Sequence, residues 1–298
     1  MVFVSTSCIR ATEPLVDRVK SYQSSGLVEI ELGAGVTVGD DWMESISRTG
    51  GRFLLHNYFP PPREPFVLNM ASPDEAVQRR SLDFVMESIR LSAGCGAPFY
   101  SFHAGFVSDP VGFGSTSFVF PPRPGRDAER FAFDRFVGAL REVNRVASDL
   151  GVQVLIENNV CSPELRGSLL LQTAEEFVKL FEAVASLDLG ILLDTGHLNV
   201  SAMTLGLDRL AFVNLLKGQI RAVHLHDNDG RSDAHLPVQH DSWTLNVLSD
   251  RELCHVPVIV EAKFETVCEL SQHVEWLKGV LAAGRAAAST GEDCGDLK

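Results

Sequence analysis

The chain has no CxxC pair, no apolar run of membrane-spanning length, no internal repeat and no excess of basic residues. Each absence removes a class. Six cysteines, Cys8, Cys95, Cys161, Cys254, Cys268 and Cys294, are dispersed through 298 residues, a length that needs no disulfide staples, so reduced thiols are expected. Cys161 follows a candidate ligand closely, yet a lone cysteine of this kind is read as a small apolar filler and given no chemical role. No segment approaches the roughly 20 apolar residues of a bilayer span, and MVFVSTSCIR lacks a signal-peptide core, so a soluble, cytoplasmic protein is expected. With 39 acidic against 26 basic residues, a net charge of -13 and a pI near 5.1, nucleic acid and anionic membranes are poor partners. Without repeats or low-complexity stretches, the 45% hydrophobic content is free to build one large core.

What the chain does have is a recurring pattern of apolar runs that end in an acid or an imidazole. RFLLHNYF, FYSFHAG, VQVLIENN, LGILLDTGH, IRAVHLHDND and VPVIVEA each read as a short strand buried on both faces. At or just past their ends stand His56, His103, Glu157, Asp194, His197, His224, Asp233, His235 and Glu261. An unpaired charge at the end of a buried strand is costly, and a cation offsets that cost. Any one of these residues alone is better explained by an ordinary ion pair or hydrogen bond. Their coincidence over six strands reverses that judgement.

The order of elements supports a barrel. VFVST and LVEIEL add two strands, and helical stretches fall between the strands: Thr12 to Ser24, Asp41 to Thr49, Ser72 to Ser92, Asp127 to Leu150, one beginning at Thr173, and Thr266 to about Ala283. Ser72 is expected to cap the third of these helices and Gly151 to end the fourth. Eight strands alternating with helices fit an α/β fold with a single (β/α)8 TIM barrel domain over residues 1–283, followed by a flexible tail over 284–298. A doubly wound open sheet is the rival, but it gathers ligands at one switch point rather than on six strand ends. The stretches Pro60 to Ala71 and Val107 to Gly125 are long for connections; they either wall the pocket or pack on themselves at the surface. The Phe-rich segment Phe113 to Phe120 could reach a second copy in a homo-oligomer.

Carboxylates and imidazoles without thiolates suit a divalent ion, with zinc, manganese, cobalt, magnesium, iron and nickel all admissible and one to three ions accommodated. Glu157, Asp194, His224 and Glu261 form the most persuasive set because each ends a strongly apolar strand.

The motifs LHNYFPP, SFHAG, IENN, LLDTGH, VHLHDNDG, SDAHLP and VIVEA resemble the successive motifs of the xylose-isomerase-like barrel superfamily across nearly the whole chain. That superfamily spans sugar isomerases, epimerases and the endonuclease IV group of phosphodiesterases, so the resemblance implies a fold before a reaction. In the epimerase branch, the resemblance implies Glu157, Asp194, His224 and Glu261 as metal ligands, Glu157 and Glu261 as the acid/base pair, and His197 as a substrate contact. In the endonuclease IV pattern it implies His56, His103 and Glu157 at one zinc, the core four at a second, and His197, Asp233 and His235 at a third. LVEIEL resembles the second strand of isomerases and epimerases. After HLP, where a glycine-rich turn is usual, the chain instead has Val238-Gln239-His240-Asp241-Ser242-Trp243.

The function expected is a metal-dependent isomerase or epimerase of a sugar or sugar phosphate, working by proton transfer through an enediolate. His56, His103, His197, Arg231 and Trp243 are candidate substrate contacts. Arg231 would hold a distal hydroxyl or phosphate, or else lie solvated in its loop; Trp243 would stack on a sugar face or start the next helix. His226, Asp227 and Asp229 are read as groups that orient the ligating imidazoles. A zinc-dependent phosphoesterase is the alternative, and a non-catalytic sugar-binding barrel a second; the presence of both glutamates argues against the latter.

Overall fold

In the computed structural model, which describes residues 1–114, 117–122, 125 and 127–290, eight parallel strands close on themselves. They are β1 (Val2–Ser5), β2 (Glu29–Leu32), β3 (Arg52–His56), β4 (Phe99–His103), β5 (Gln153–Glu157), β6 (Leu189–Asp194), β7 (Ile220–Leu225) and β8 (Val258–Val260). Neighbours in sequence are neighbours in the sheet, and β1 closes the ring by pairing with both β2 and β8. Nine helices lie among the described residues: α1 (Leu15–Ser24), α2 (Trp42–Ser47), α3 (Glu75–Gly94), α4 (Ala128–Leu150), α5 (Ala174–Ala183), α6 (Thr195–Leu205), α7 (Arg209–Leu216), α8 (Trp243–Ser249) and α9 (Val267–Thr290). This is the expected single-domain TIM barrel. No helix among the described residues is long and apolar enough to cross a membrane.

Residue parity explains both the core and the site. Because side chains alternate along a strand, one set faces the helices and the other faces the barrel axis. The outward set, including Val4, Ile30, Leu55, Phe102, Ile156, Leu193, Val223 and Val260, joins the large helix-covered core. Phe3, Leu54, Phe99, Leu155, Leu192, Ala222 and Ile259 form a separate buried cluster that fills the barrel axis. Each fully buried Leu, Ile or Phe contributes about 1.5–3 kcal/mol, so the runs must be apolar at nearly every position. Two residues beyond Leu54, Leu155, Leu192, Ala222 and Ile259 come His56, Glu157, Asp194, His224 and Glu261, and four beyond Phe99 comes His103. The axis is thus plugged below and polar above.

Local signals set the helix ends. Gly151 ends α4 at φ 68°, a left-handed conformation that favours glycine, as expected. Thr173 caps α5 by accepting the Glu176 N–H. For α3, however, the cap is Asp74, whose carboxylate accepts the Ala76 and Val77 N–H groups; Ser72 instead donates to Asp109. With its hydroxyl engaged by Asp109, Ser72 leaves the helix start to the Asp74 carboxylate, which also faces the positive end of the helix dipole. The last helix runs to Thr290, past the expected Ala283, because the alanines of LAAGRAAA propagate a helix well; residues 291–298 of the expected tail, with Cys294, lie outside the described residues.

Candidate metal centre

Strand register brings the polar residues together before any loop is considered. His56, His103, Glu157 and Asp194 are the last residues of β3 to β6. His103 pairs in register with Glu157, and Asp194 with His224. Glu157 is the hub. Its Oε2 faces His56 Nε2 at 3.3 Å and His103 Nδ1 at 3.2 Å, while Oε1 faces His197 Nδ1 at 3.3 Å and His224 Nδ1 at 3.4 Å. The two oxygens therefore serve two different pairs of imidazoles.

Asp194 extends the network. It caps α6 by accepting the His197 N–H at 2.7 Å, and Asn158 clamps its backbone from both sides. Its carboxylate lies 3.7 Å from His224 Nδ1 and 3.0 Å from His226 Nε2. Glu261, one residue past β8, reaches His224 Nδ1 at 3.5 Å. Asp233 meets His197 Nε2 at 3.4 Å and His235 Nε2 at 3.1 Å. His235 stands at φ 48°, costly for a residue with a Cβ, and is held there by Nδ1 against the Glu261 carbonyl and by its own carbonyl accepting the Lys263 N–H. All nine expected side chains thus belong to one connected cluster at the carboxyl ends of the strands.

Two further groups join them. His226 shares its face with His224 two residues earlier and stacks on His235 with ring centroids 4.1 Å apart. Sequence reading gave it an orienting role; here it touches Asp194 directly and forms a compact ligand-type group with Asp233 and His235. Glu31 of β2 was noted only as part of a motif, yet it is fully buried against His224. The signal was present as parity: Glu31 falls on the inward face of its strand.

The charges respond strongly to this packing. Burial alone would push Glu157 and Asp194 up, but the surrounding imidazoles overcome it and hold both carboxyls well below the usual range. Burial likewise opposes charge on His197 and His224, yet Asp194 and Asp233 for the first, and Glu31 and Glu261 for the second, raise them well above the ordinary imidazole value. At His103 burial wins over Glu157 and lowers the value, leaving a neutral ring with a free lone pair.

The residues fit a divalent ion. His103 Nδ1, Glu157 Oε2, His224 Nδ1 and Asp233 Oδ1 are buried and have no hydrogen-bond partner among the described residues, which is the situation a cation would relieve. Glu157, Asp194 and His224 each offer a ligand atom within 4.8 Å of the others, as do His56, His103 and Glu157, and also His226, Asp233 and His235.

Beside His103 opens a cavity of about 550 Å³ walled by Tyr58, Phe66, Leu68, Phe106, Leu165 and Leu169. Phe66 and Leu68 come from one expected irregular stretch and Phe118 from the other, so both help to wall the pocket. No Lys, Arg, Asp or Glu lines it among the described residues. Arg231 and Trp243 are not brought there. Arg231 lies exposed on the turn after β7, and Trp243 opens α8, where the Arg209 guanidinium sits 4.7 Å above its ring. Cys161 is buried against Gln172, which accepts its thiol proton, and burial pushes that thiol up to about 11.

Comparison with known proteins agrees with the architecture. A family model described as xylose isomerase-like TIM barrel matches residues 26–280. MJ1311 of Methanocaldococcus jannaschii, named only as an uncharacterized protein, is 26% identical over 174 residues, 57% of this chain; the aligned part spans about half of that relative, 52% of its length. Among solved structures, a D-tagatose 3-epimerase-like protein superposes with a TM-score of 0.70 at 21% identity, covering 96% of this chain and 98% of its own. An L-ribulose 3-epimerase gives 0.71 at 16% identity, covering 99% of each chain.

Proposed function

This chain belongs to the xylose isomerase-like TIM barrel family, and we propose that it is a divalent-metal-dependent isomerase or epimerase of an uncharged sugar, with Glu157 and Glu261 as the proton-transfer pair. One observation carries the reading: two glutamates from separate parts of the ring, the ends of β5 and β8, converge on the same face of His224 at 3.4 and 3.5 Å. Moving a proton between the two sides of a carbon beside a carbonyl needs two such carboxylates. Glu157, Asp194, His224 and Glu261 would hold the ion, which when bound supplies electrophilic stabilisation of the oxygens that gain charge as the proton leaves. Glu261 is the more open of the pair, its side chain 12% exposed against 1% for Glu157, so it is the one placed to meet a substrate carbon first. His103, which lines the cavity, and His197, its ring centroid 5.6 Å away, would donate to or accept from substrate hydroxyls. The uncharged cavity wall favours a neutral sugar over a phosphorylated one, since no guanidinium or ammonium lines it among the described residues. The two epimerase-type structural neighbours support a sugar as the substrate.

Solvent-proton exchange tests this directly. With a panel of ketoses and aldoses in deuterated water, the metal-loaded protein is expected to incorporate deuterium at the carbon beside the carbonyl, and Glu157→Gln and Glu261→Gln to lose that incorporation by at least about a thousandfold while remaining folded. Wild-type exchange in either variant removes that residue from the pair.

A second reading, a zinc-dependent phosphoesterase, is favoured by the division of Glu157 between two imidazole pairs together with the separate Asp233 group, because several ions side by side clamp a phosphoester. Native mass spectrometry separates the two: about three tightly held zinc ions point to hydrolysis, one exchangeable ion to isomerisation.

A further inference from the structure

We infer that Glu31 is a positioning residue for this centre, fixing His224 in the tautomer and ring orientation that turn Nδ1 toward Glu157, Asp194 and Glu261. The inference rests on the metal-binding reading above and adds to it a residue on a strand that contributes none of the nine expected groups. Glu31 is fully buried inside the barrel, and its Oε2 accepts from His224 Nε2 at 3.0 Å. Among the described residues that imidazole is its one ion-pair partner, and its Oε1 has no hydrogen bond at all. A carboxylate kept for packing alone would be expensive in such a place, because burial strips its water and, among the described residues, its one ion-pair partner is His224, with a His56 nitrogen within 4.8 Å as the other nearby imidazole group.

The geometry accounts for that expense. An imidazole presents two nitrogens, and the one that holds the proton is decided by the hydrogen bond on the other side. With Nε2–H donated to Glu31, Nδ1 is left for the side where three carboxylates gather, and a cation taken up there would displace its proton and receive its lone pair. Two neighbouring rings are fixed in the same way by neutral groups: His56 Nδ1 by the Ser101 hydroxyl at 3.0 Å, and His235 Nδ1 by the Glu261 carbonyl at 3.2 Å. His224 differs in being fixed by an acid, which also makes its lone pair a stronger donor to a cation.

The test uses the full chain and zinc and cobalt ions alone, with affinity read by competition against a chromophoric chelator and geometry by the visible absorption of bound cobalt. Glu31→Leu removes the acceptor, and a loss of about 10- to 100-fold in affinity with an altered cobalt spectrum is expected. Glu31→Gln keeps an oxygen that accepts Nε2–H, so it should restore the wild-type spectrum and recover part of the affinity. Circular dichroism of the metal-free variants accompanies both measurements. Wild-type affinity and spectrum in Glu31→Leu overturn the inference, as does a Glu31→Gln protein that folds normally but binds no better than Glu31→Leu. If Glu31→Leu does not fold, Glu31→Ala, which removes the acceptor without adding apolar bulk, decides by the same two measures, and wild-type affinity and spectrum in it overturn the inference. Failure of the wild type itself to take up either ion overturns the metal-binding reading, whereas variants that match a metal-binding wild type overturn only the role of Glu31.

Discussion

The His226 ring lies directly against Gly196, so closely that a Cβ at that glycine would stand 1.9 Å from His226 Cε1. Asn228 reinforces the contact by donating to the Gly196 carbonyl at 2.9 Å. The glycine of the DTGH motif is thus required by an imidazole 30 residues later, through proximity and not through backbone conformation. Gly196→Ala should push His226 off Asp194 and lower stability by roughly 3 kcal/mol or more, measured by urea denaturation. A change below about 0.5 kcal/mol would mean the ring has room to move aside.

His103 lines the cavity and also faces Glu157, so its replacement separates substrate contact from ion binding. His103→Ala is expected to raise KM about tenfold, the effect of losing one hydrogen bond of about 1.4 kcal/mol, with the ion count unchanged. A lower ion count at unchanged KM would assign the ring to a second ion and strengthen the phosphoesterase reading.

On α9, His273 is wedged between Phe264 and Trp276, and burial lowers its pKa to about 4. The folded state therefore binds this proton less readily than the unfolded state, whose imidazole titrates near 6.5. Its contribution to stability is fully present above pH 6.5 and is lost as the pH falls toward 4. His273→Leu should remove this acid-side decline, worth on the order of 1 kcal/mol after solvent screening, in thermal melts recorded across that range. Parallel curves for the two proteins would show that the ring protonates freely when folded.

Much of this was legible in the sequence because burial on both faces makes each barrel strand a continuous apolar run, and the polar residue that ends it stands out. Glu157 after VQVLI and Asp194 after LGILL are clear cases. Glu31 was not, since the alternation in VEIEL looks like a strand with one wetted face; only closure of the ring turns that face inward. His226 reads from the sequence only as an orienting group although equal parity puts it with His224 on the axis side, because a single chain does not reveal how far the β7 strand direction persists past Leu225. Arg231 and Trp243 have suitable chemistry, but they lie in segments whose path is set by tertiary packing, here the exposed turn and the Arg209 contact. The α3 cap was misplaced by two residues because Ser72 and Asp74 are both good caps, and the choice turns on Asp109, which lies far away in sequence.

The pairing of β1 with β8 has a consequence for biogenesis. A nascent polypeptide that has emerged only as far as β7 presents two bare edges, on β1 and on β7, and lacks Glu261. Both edges are covered, and the candidate site gains its last carboxylate, in the same docking event once β8 has emerged. Assembly of the candidate centre therefore doubles as a report that the whole ring has closed.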